Sequence, residues 1–472
     1  MKNLFMKTGC LMLAIAMLLT LGACKSTKEV TSEITSTVEL NESDIVNSDN
    51  TDDTSSKTTK KSTKKSSNTT EVKSELSGIP KSLQGTTITV YTWNNVNDVP
   101  GAATLIKKFQ KQTKINISWK VGSYDNYKSE IAAMVAAKNS PDVIRLRGVE
   151  PGILSLMDPV TATGYDFKEG IWDTFVSNTY TFNGKTYAVN RSNSLLQQPL
   201  VMLYNRDLVT KYDLNDPYAV WKQNKSNWNW DTFIDLCNDY KKVAGADAIP
   251  WEANGFKDYA SCFGGDSIKR NGDKFVNNMS DGNLLKGLQQ FEQWRIDGIA
   301  GIGWDMNGFN TGKYLFFGPA IISARRTHFD LTDLKAKGSL GAVPYPCVKG
   351  QSVYYQNVWE VEAYGIPKGA KNAAAVPYFL KTYLDGDNYD SKSFFNDKTI
   401  LDVYNYCMHE TTLVPEYDRW LFQMDLGGDE YTQFSSELKT ASPSGVKTIL
   451  DKYAPTVERA VNQANNTIAA LK

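Results

Sequence analysis

The chain predicts an α/β protein made of two successive α/β regions, and three observations carry that expectation. The first long stretch rich in large apolar residues after the N-terminus reads strand, helix, strand and then repeats. The same alternation restarts near Leu195. Helical segments in both halves carry a single apolar stripe, as helices packed on a sheet do.

Taken in order, Thr87-Ile88-Thr89-Val90-Tyr91-Thr92-Trp93 is β-branched and aromatic and reads as a strand. Ala103, Ile106, Phe109 and Gln110 trace a helix over about 101–112, and Ile115, Ile117 and Trp119 alternate as the second strand. That order implies a right-handed βαβ unit in a mostly parallel sheet. Tyr127, Ile131, Met134 and Val135 mark the next helix, Ser140-Pro141 breaks it, and Val143-Ile144-Arg145-Leu146 is the third strand. Asn183-Gly184 sits at the turn of a hairpin over 180–189.

In the second region, Pro199 to Tyr204 reads as one buried strand, and Asn205 caps the short helix after it. Asn229-Trp230-Asp231-Thr232 opens a helix with Phe233, Leu236, Cys237 and Tyr240 on one face. Ser280 is expected to cap a longer helix striped by Leu284, Leu285, Leu288, Phe291 and Trp294. Gly318-Pro319-Ala320 suits a narrow return crossing, and a closing helix is expected over about 457–471.

Composition narrows the function classes. With 52 basic and 52 acidic residues among 472, the chain has no charge surplus for nucleic acid or a strongly anionic surface. Its 11 Trp and 24 Tyr, many with polar neighbours, fit a surface that stacks on sugar rings and hydrogen-bonds hydroxyls, with core packing as the alternative for each ring. Cys237, Cys262, Cys347 and Cys407 permit three pairings and read as free and buried. Only His328 and His409 are present, no metal pattern is visible, and no cofactor is expected.

Lys2 and Lys7 precede the apolar run from Leu11 to Leu19, which is too short to span a bilayer. Leu21-Gly22-Ala23-Cys24 resembles the lipobox of bacterial lipoproteins. That resemblance implies a signal peptide over 1–23 and acylation of Cys24. From 24 to about 80 the chain is nearly all Ser, Thr, Lys, Glu, Asp and Asn, an expected disordered tether. Its r.m.s. reach is on the order of 40 Å, which suits the thick wall of a Gram-positive bacterium.

Tyr204-Asn205-Arg206-Asp207-Leu208, the helix start at Asn229-Trp230-Asp231-Thr232-Phe233, the strand end Tyr91-Thr92-Trp93 and Gly365-Ile366-Pro367 occur in an order and spacing that resembles the extracellular solute-binding proteins of sugar-importing ABC transporters. The resemblance spans roughly 85–470. It implies a two-lobe, periplasmic-binding-protein-like (Venus flytrap) fold with the ligand in the cleft. The first lobe would comprise 81–192 plus 320–368, and the second 193–319 plus 369–472. It also implies an oligosaccharide ligand, permease subunits as partners, a monomer, and a place at the outer face of the cell membrane.

Ligands of open α/β sheets meet the carboxyl ends of strands. That rule selects Trp93, Asn94 and Asn95 after the first strand, and Arg145 with Arg147 at the third. In the second lobe it selects Trp251, Glu252 and Asn254, then Trp304 beside Asp305. From the returning segment come Arg325 beside Arg326, and Asn357, Trp359 and Glu360. The alternatives are core packing for the tryptophans, and surface or salt bridges for the charged residues. Two arginines facing the cleft would favour an acidic sugar. The competing classes are a secreted glycoside hydrolase, which needs two carboxylates across a bond, and a surface glycan-binding protein without a permease. No catalytic constellation is visible, and an enzyme is not expected.

Overall fold

The computed structural model describes residues 78–253, 260, 262–351, 353–395, 397–423 and 428–471. Cys24, the expected signal peptide, nearly all of the expected tether and Asn254 lie outside the described residues.

In chain order, β1 (Thr87–Thr92), α1 (Ala102–Thr113), β2 (Asn116–Val121), α2 (Tyr127–Ala136), β3 (Val143–Leu146), β4 (Met157–Asp158) and β5 (Ala188–Val189) build the first region. The chain continues through β6 (Gln198–Pro199), β7 (Met202–Asn205), α3 (Trp230–Ala244), β8 (Trp251–Glu252), α4 (Gly282–Ile296), β9 (Ala300–Gly301), β10 (Phe316–Phe317) and β11 (Leu340–Val343). It ends with β12 (Tyr355–Glu360), β13 (Ala363–Pro367), α5 (Val376–Tyr383), β14 (Thr412–Pro415) and α6 (Val446–Ala469). Among the described residues these strands form two mixed sheets, ordered β2-β1-β3-β13-β4 with β5 also on β13, and β9-β8-β10-β7-β11. A third sheet, β14-β12-β6, joins them.

β1 pairs in parallel with β2 on one side and β3 on the other, as the βαβ reading requires. Ile88 and Val90 are fully buried because both faces of this central strand are covered. Ala102, Leu105, Ile106 and Phe109 form the buried stripe of α1. β13 then runs antiparallel against β3, β4 and β5.

Some elements differ from expectation. Pro199 to Tyr204 is not one strand: β6 lies in the joining sheet and β7 in the second sheet. The chain changes sheets at Leu200 and Val201, whose N–H groups donate to Asn357 and Pro319. The cap of α4 is Asp281 rather than Ser280; its Oδ1 accepts from Asn283 and Leu284 at 2.8 and 2.9 Å, and its charge suits the helix N-terminus. α6 starts at Val446 rather than near Val457, because the buried stripe runs on through Val446, Leu450 and Tyr453.

The course of the chain between sheets also differs. β11, placed by the sequence with the first lobe, hydrogen-bonds to β7 in the second sheet. α5, placed with the second lobe, packs Phe379 on Phe109 of α1 at 5.7 Å. The four described cysteines, Cys237, Cys262, Cys347 and Cys407, are free and buried.

Candidate functional site

At the carboxyl ends of β1 and β3, side chains of the first region meet the joining sheet. Trp93 follows β1, and its half-buried indole lies 4.3 Å from the Arg145 guanidinium carbon and 5.6 Å from that of Arg147. Tyr124 and Tyr127 approach the same indole edge-on, at 5.7 and 5.1 Å. Arg145 is buried and ion-paired: Nη2 lies 2.6 Å from Glu362 and 3.8 Å from Glu360, and Nη1 donates to Asn94 Oδ1 at 2.5 Å. Arg147 is also buried and paired, its Nε donating to Glu150 at 3.0 Å and Nη1 to the Tyr124 carbonyl at 2.8 Å.

The joining sheet supplies the other wall. Glu360, at the end of β12, accepts from the Tyr124 hydroxyl at 3.0 Å and from Gln198 Nε2 at 2.7 Å. Burial, reinforced by the Glu360 carboxylate, holds the Tyr124 hydroxyl firmly protonated. Half-buried Trp359 lies under the Arg419 guanidinium at 4.4 Å. Arg419 opens a turn of π-helix over Arg419–Gln423, a rare geometry that recurs at functional sites. Its guanidinium also lies 5.1 Å from the buried Trp420 ring, and Nη2 donates to the Tyr124 hydroxyl at 3.4 Å. Trp420 fits against Gly148: a Cβ there would stand 2.2 Å from the indole.

Among the described residues, four buried donors in this cluster meet no acceptor: Nε of Arg145, Nε1 of Trp359, Nε1 of Trp420 and Nε of Arg419. No group of three or more His, Cys, Asp or Glu among the described residues is arranged to hold a metal ion.

The second sheet presents a different arrangement. Glu252, at the carboxyl end of β8, is buried, and its Oε1 accepts from the Asp305 N–H at 3.0 Å. Burial raises its pKa, while the Asp305 and Gly303 N–H groups act the other way. Trp304, between those two residues, is 38% exposed and packs on Phe317 at 4.8 Å.

The structure thus brings together Trp93, Asn94, Arg145, Arg147, Trp359 and Glu360, and places the other candidates elsewhere. Trp251 is fully buried among Trp230, Phe233, Phe291 and Trp294, with ring distances from 5.1 to 6.3 Å, and has no face left for a ligand. Arg325 is 1% exposed and donates to the Leu195 and Leu196 carbonyls, tying a turn to the interior. Arg326 is exposed on that turn. Asn95 caps a helical turn, its Oδ1 accepting from the Asn97 N–H at 3.0 Å. Asn357 is buried in β12, where its carbonyl accepts from Leu200. Tyr124, Arg419 and Trp420 were not among the sequence candidates; Arg419-Trp420, shortly after a strand, repeats the Trp-plus-polar signal that selected Trp93.

Comparison with known proteins follows the fold. The family model described as bacterial extracellular solute-binding protein matches residues 104–393, more than half of the chain. The diacetylchitobiose binding protein DasA of Streptomyces coelicolor is 22% identical over 229 residues, covering 45% of this chain and 48% of that protein. The match therefore spans about half the length of that curated relative. In fold, the chain is similar to the GacH receptor of Streptomyces glaucescens, solved unliganded and with acarbose (TM-score 0.59, 13% identity, 80% of this chain and 98% of that one). It is also similar to the sugar-binding protein MalE of Xanthomonas citri (TM-score 0.56, 14% identity, 81% and 98%). At these identities the likeness shows the α/β periplasmic-binding-protein fold.

Proposed function

Because this chain belongs to the bacterial extracellular solute-binding protein family, we propose that it captures a neutral oligosaccharide between its two lobes and delivers it to the permease of an ABC importer. The observation that carries the reading is the cluster of Trp93, Tyr124 and Trp359 with Arg419, in which indole and phenol faces alternate with hydrogen-bond donors. A pyranose needs that combination: a flat apolar face to stack, and donors and acceptors for its hydroxyls. Each buried donor without a partner costs about 1–3 kcal/mol, a cost that sugar oxygens would offset. The names of the relatives, which bind diacetylchitobiose and acarbose, agree with a glycan ligand.

At Arg145 and Arg147, charge favours a neutral sugar over an acidic one. Arg145 and Arg147 are each matched by a carboxylate, Glu362 and Glu150, within 3.0 Å. A uronate would find those guanidiniums already paired. The hydrolase reading fares worse, since Glu360 and Glu252 are both spent on protein donors. In this mechanism the ligand bridges the lobes, shifts an open–closed equilibrium, and the permease reads the closed form. A lipid at Cys24 and the polar tether would hold the trap near its permease at high effective concentration.

Titration calorimetry against neutral malto-, chito- and xylo-oligosaccharides and a uronate-bearing glycan tests this. A neutral series should bind tightest, with Trp359→Ala weakening it about tenfold, the worth of one stacked ring. Tighter binding of the uronate, or unchanged affinity in both Trp93→Ala and Trp359→Ala, would overturn it.

A further inference from the structure

Trp304 combines two features that seldom coincide: it is 38% exposed, and its backbone sits in the left-handed region at φ +53°. It is the one aromatic residue in that conformation among the described residues. Left-handed backbone at a bulky residue is unfavourable and persists only where surrounding structure imposes it. Here the imposing group is Glu252. Its carboxylate lies beneath the loop, with Oε1 taking the Asp305 N–H at 3.0 Å. The Gly301-Ile302-Gly303 spacing makes room for it: a Cβ at Gly301 would stand 2.3 Å from Glu252 Oε2, and one at Gly303 3.2 Å from Oε1.

The far side of the loop is fixed as well. Asp305 Oδ1 accepts from the Gly308 N–H at 2.8 Å, and Oδ2 from Lys313 and Tyr314 at 2.9 and 3.0 Å. Trp304 is therefore held from both flanks, with Phe317 under one part of its ring and the rest open. The loop follows β9 and Glu252 ends β8, two parallel strands, so the ring stands at the carboxyl edge where α/β sheets receive ligands.

Resting on the reading above, we propose that Trp304 is a second stacking platform, on the opposite lobe from Trp93, and that Glu252 is its positioning residue rather than a ligand contact. A platform separate from the Trp93–Trp359 cluster serves sugar units beyond the first. It therefore sets a preference for longer chains.

The test uses the full chain labelled with 5-fluorotryptophan, with the Trp304 resonance assigned by its loss in Trp304→Phe. Disaccharides and pentasaccharides of the malto, chito and xylo series serve as probes. The pentasaccharide that binds should shift the Trp304 resonance. Trp304→Ala and Glu252→Met should each weaken that pentasaccharide about tenfold, leave its disaccharide nearly unaffected, and show no further loss when combined. Glu252→Gln, which keeps an acceptor oxygen, should recover most of the affinity. Glycan shifts at the Trp93 or Trp359 resonance without one at Trp304 would overturn the platform alone. Wild-type affinity in Glu252→Met alongside a weakened Trp304→Ala would overturn the positioning role. No shift at any tryptophan would overturn the glycan reading and this inference with it.

Discussion

Arg145 and Lys335 are both cations drawn away from water, and they differ in what each finds there. Arg145 meets the Glu362 carboxylate at 2.6 Å, so its charge is compensated inside the protein. Lys335 meets two carbonyls, of Arg325 at 2.9 Å and His328 at 2.6 Å, and no carboxylate among the described residues lies within ion-pair distance of it. Burial pushes its pKa down to about 8, with the Asp330 charge opposing the shift. The sign follows from proton counting. Between about pH 8 and the unfolded value of 10.5, the unfolded chain holds a proton that the folded chain has released. Stability from this group therefore rises with pH across that window. The neutral amine still donates to both carbonyls. We expect the melting temperature of the wild type, measured against Lys335→Met, to gain steadily from pH 7.5 to pH 10; a constant difference would show that Lys335 titrates normally.

At the scale of elements, the approach of two loops decides the shape of the candidate site. Gly148 follows β3, and Trp420 lies in the π-helical turn after β14. They meet so closely that a methyl group at 148 would overlap the indole. Gly148→Ala should push Trp420 outward and disturb the Arg147 and Arg419 guanidiniums, each 5.1 Å from its ring. We expect a cost of about 1–3 kcal/mol in stability, a changed near-ultraviolet circular dichroism spectrum and weaker glycan binding. An unchanged spectrum would mean that the loops separate without moving the indole. This meeting also shows why the site was only partly legible from sequence. Strand-end residues such as Trp93, Trp359 and Glu360 announce themselves, because the strands before them are strongly patterned. Tyr124, Arg419 and Trp420 come from irregular segments without a period, so only the fold brings them in. Trp251 and Glu252 show a subtler limit. Successive side chains of a strand face opposite ways, and the two-residue β8 is too short to reveal which one faces the core. Pro199 to Tyr204 misled for a related reason: uniformly apolar residues carry no mark where a chain leaves one sheet for another.

Across the whole molecule, the lobes are joined by the β14-β12-β6 sheet, but a second connection lies apart from it. The hairpin of Ile268–Asn271 and Lys274–Asn277 follows β8, yet it reaches a hairpin of the first region over Thr181–Thr186. Arg270 carries most of that reach. Nη1 donates to the carbonyls of Asn178 and Thr179 at 2.9 and 2.8 Å, and Nη2 donates to that of Thr181. The Asn178 and Thr179 carbonyls close the helix Thr174–Thr179, an end where a cation is favoured. The guanidinium also lies 4.0 Å from the Phe182 ring centre. Asp273 accepts from the Asn183 N–H at 3.1 Å, and Asn465 of α6 pairs in both directions with the Phe275 backbone at 2.8 and 2.9 Å. Any hinge motion must break these bonds or turn about them. The Arg270 bonds run from side chain to backbone and need no ligand, so they restrain the ligand-free protein. Arg270→Ala should lower stability by about 1.5–3 kcal/mol, the range for hydrogen bonds to a charged donor. It should also enlarge the ligand-free radius of gyration in small-angle X-ray scattering, while glycan binding still draws the variant down to wild-type dimensions. If the scattering of the free variant matched that of the wild type, the remaining bonds, of Asp273 with Asn183 and of Asn465 with Phe275, would suffice to hold the hairpin, and the restraint would not depend on the guanidinium.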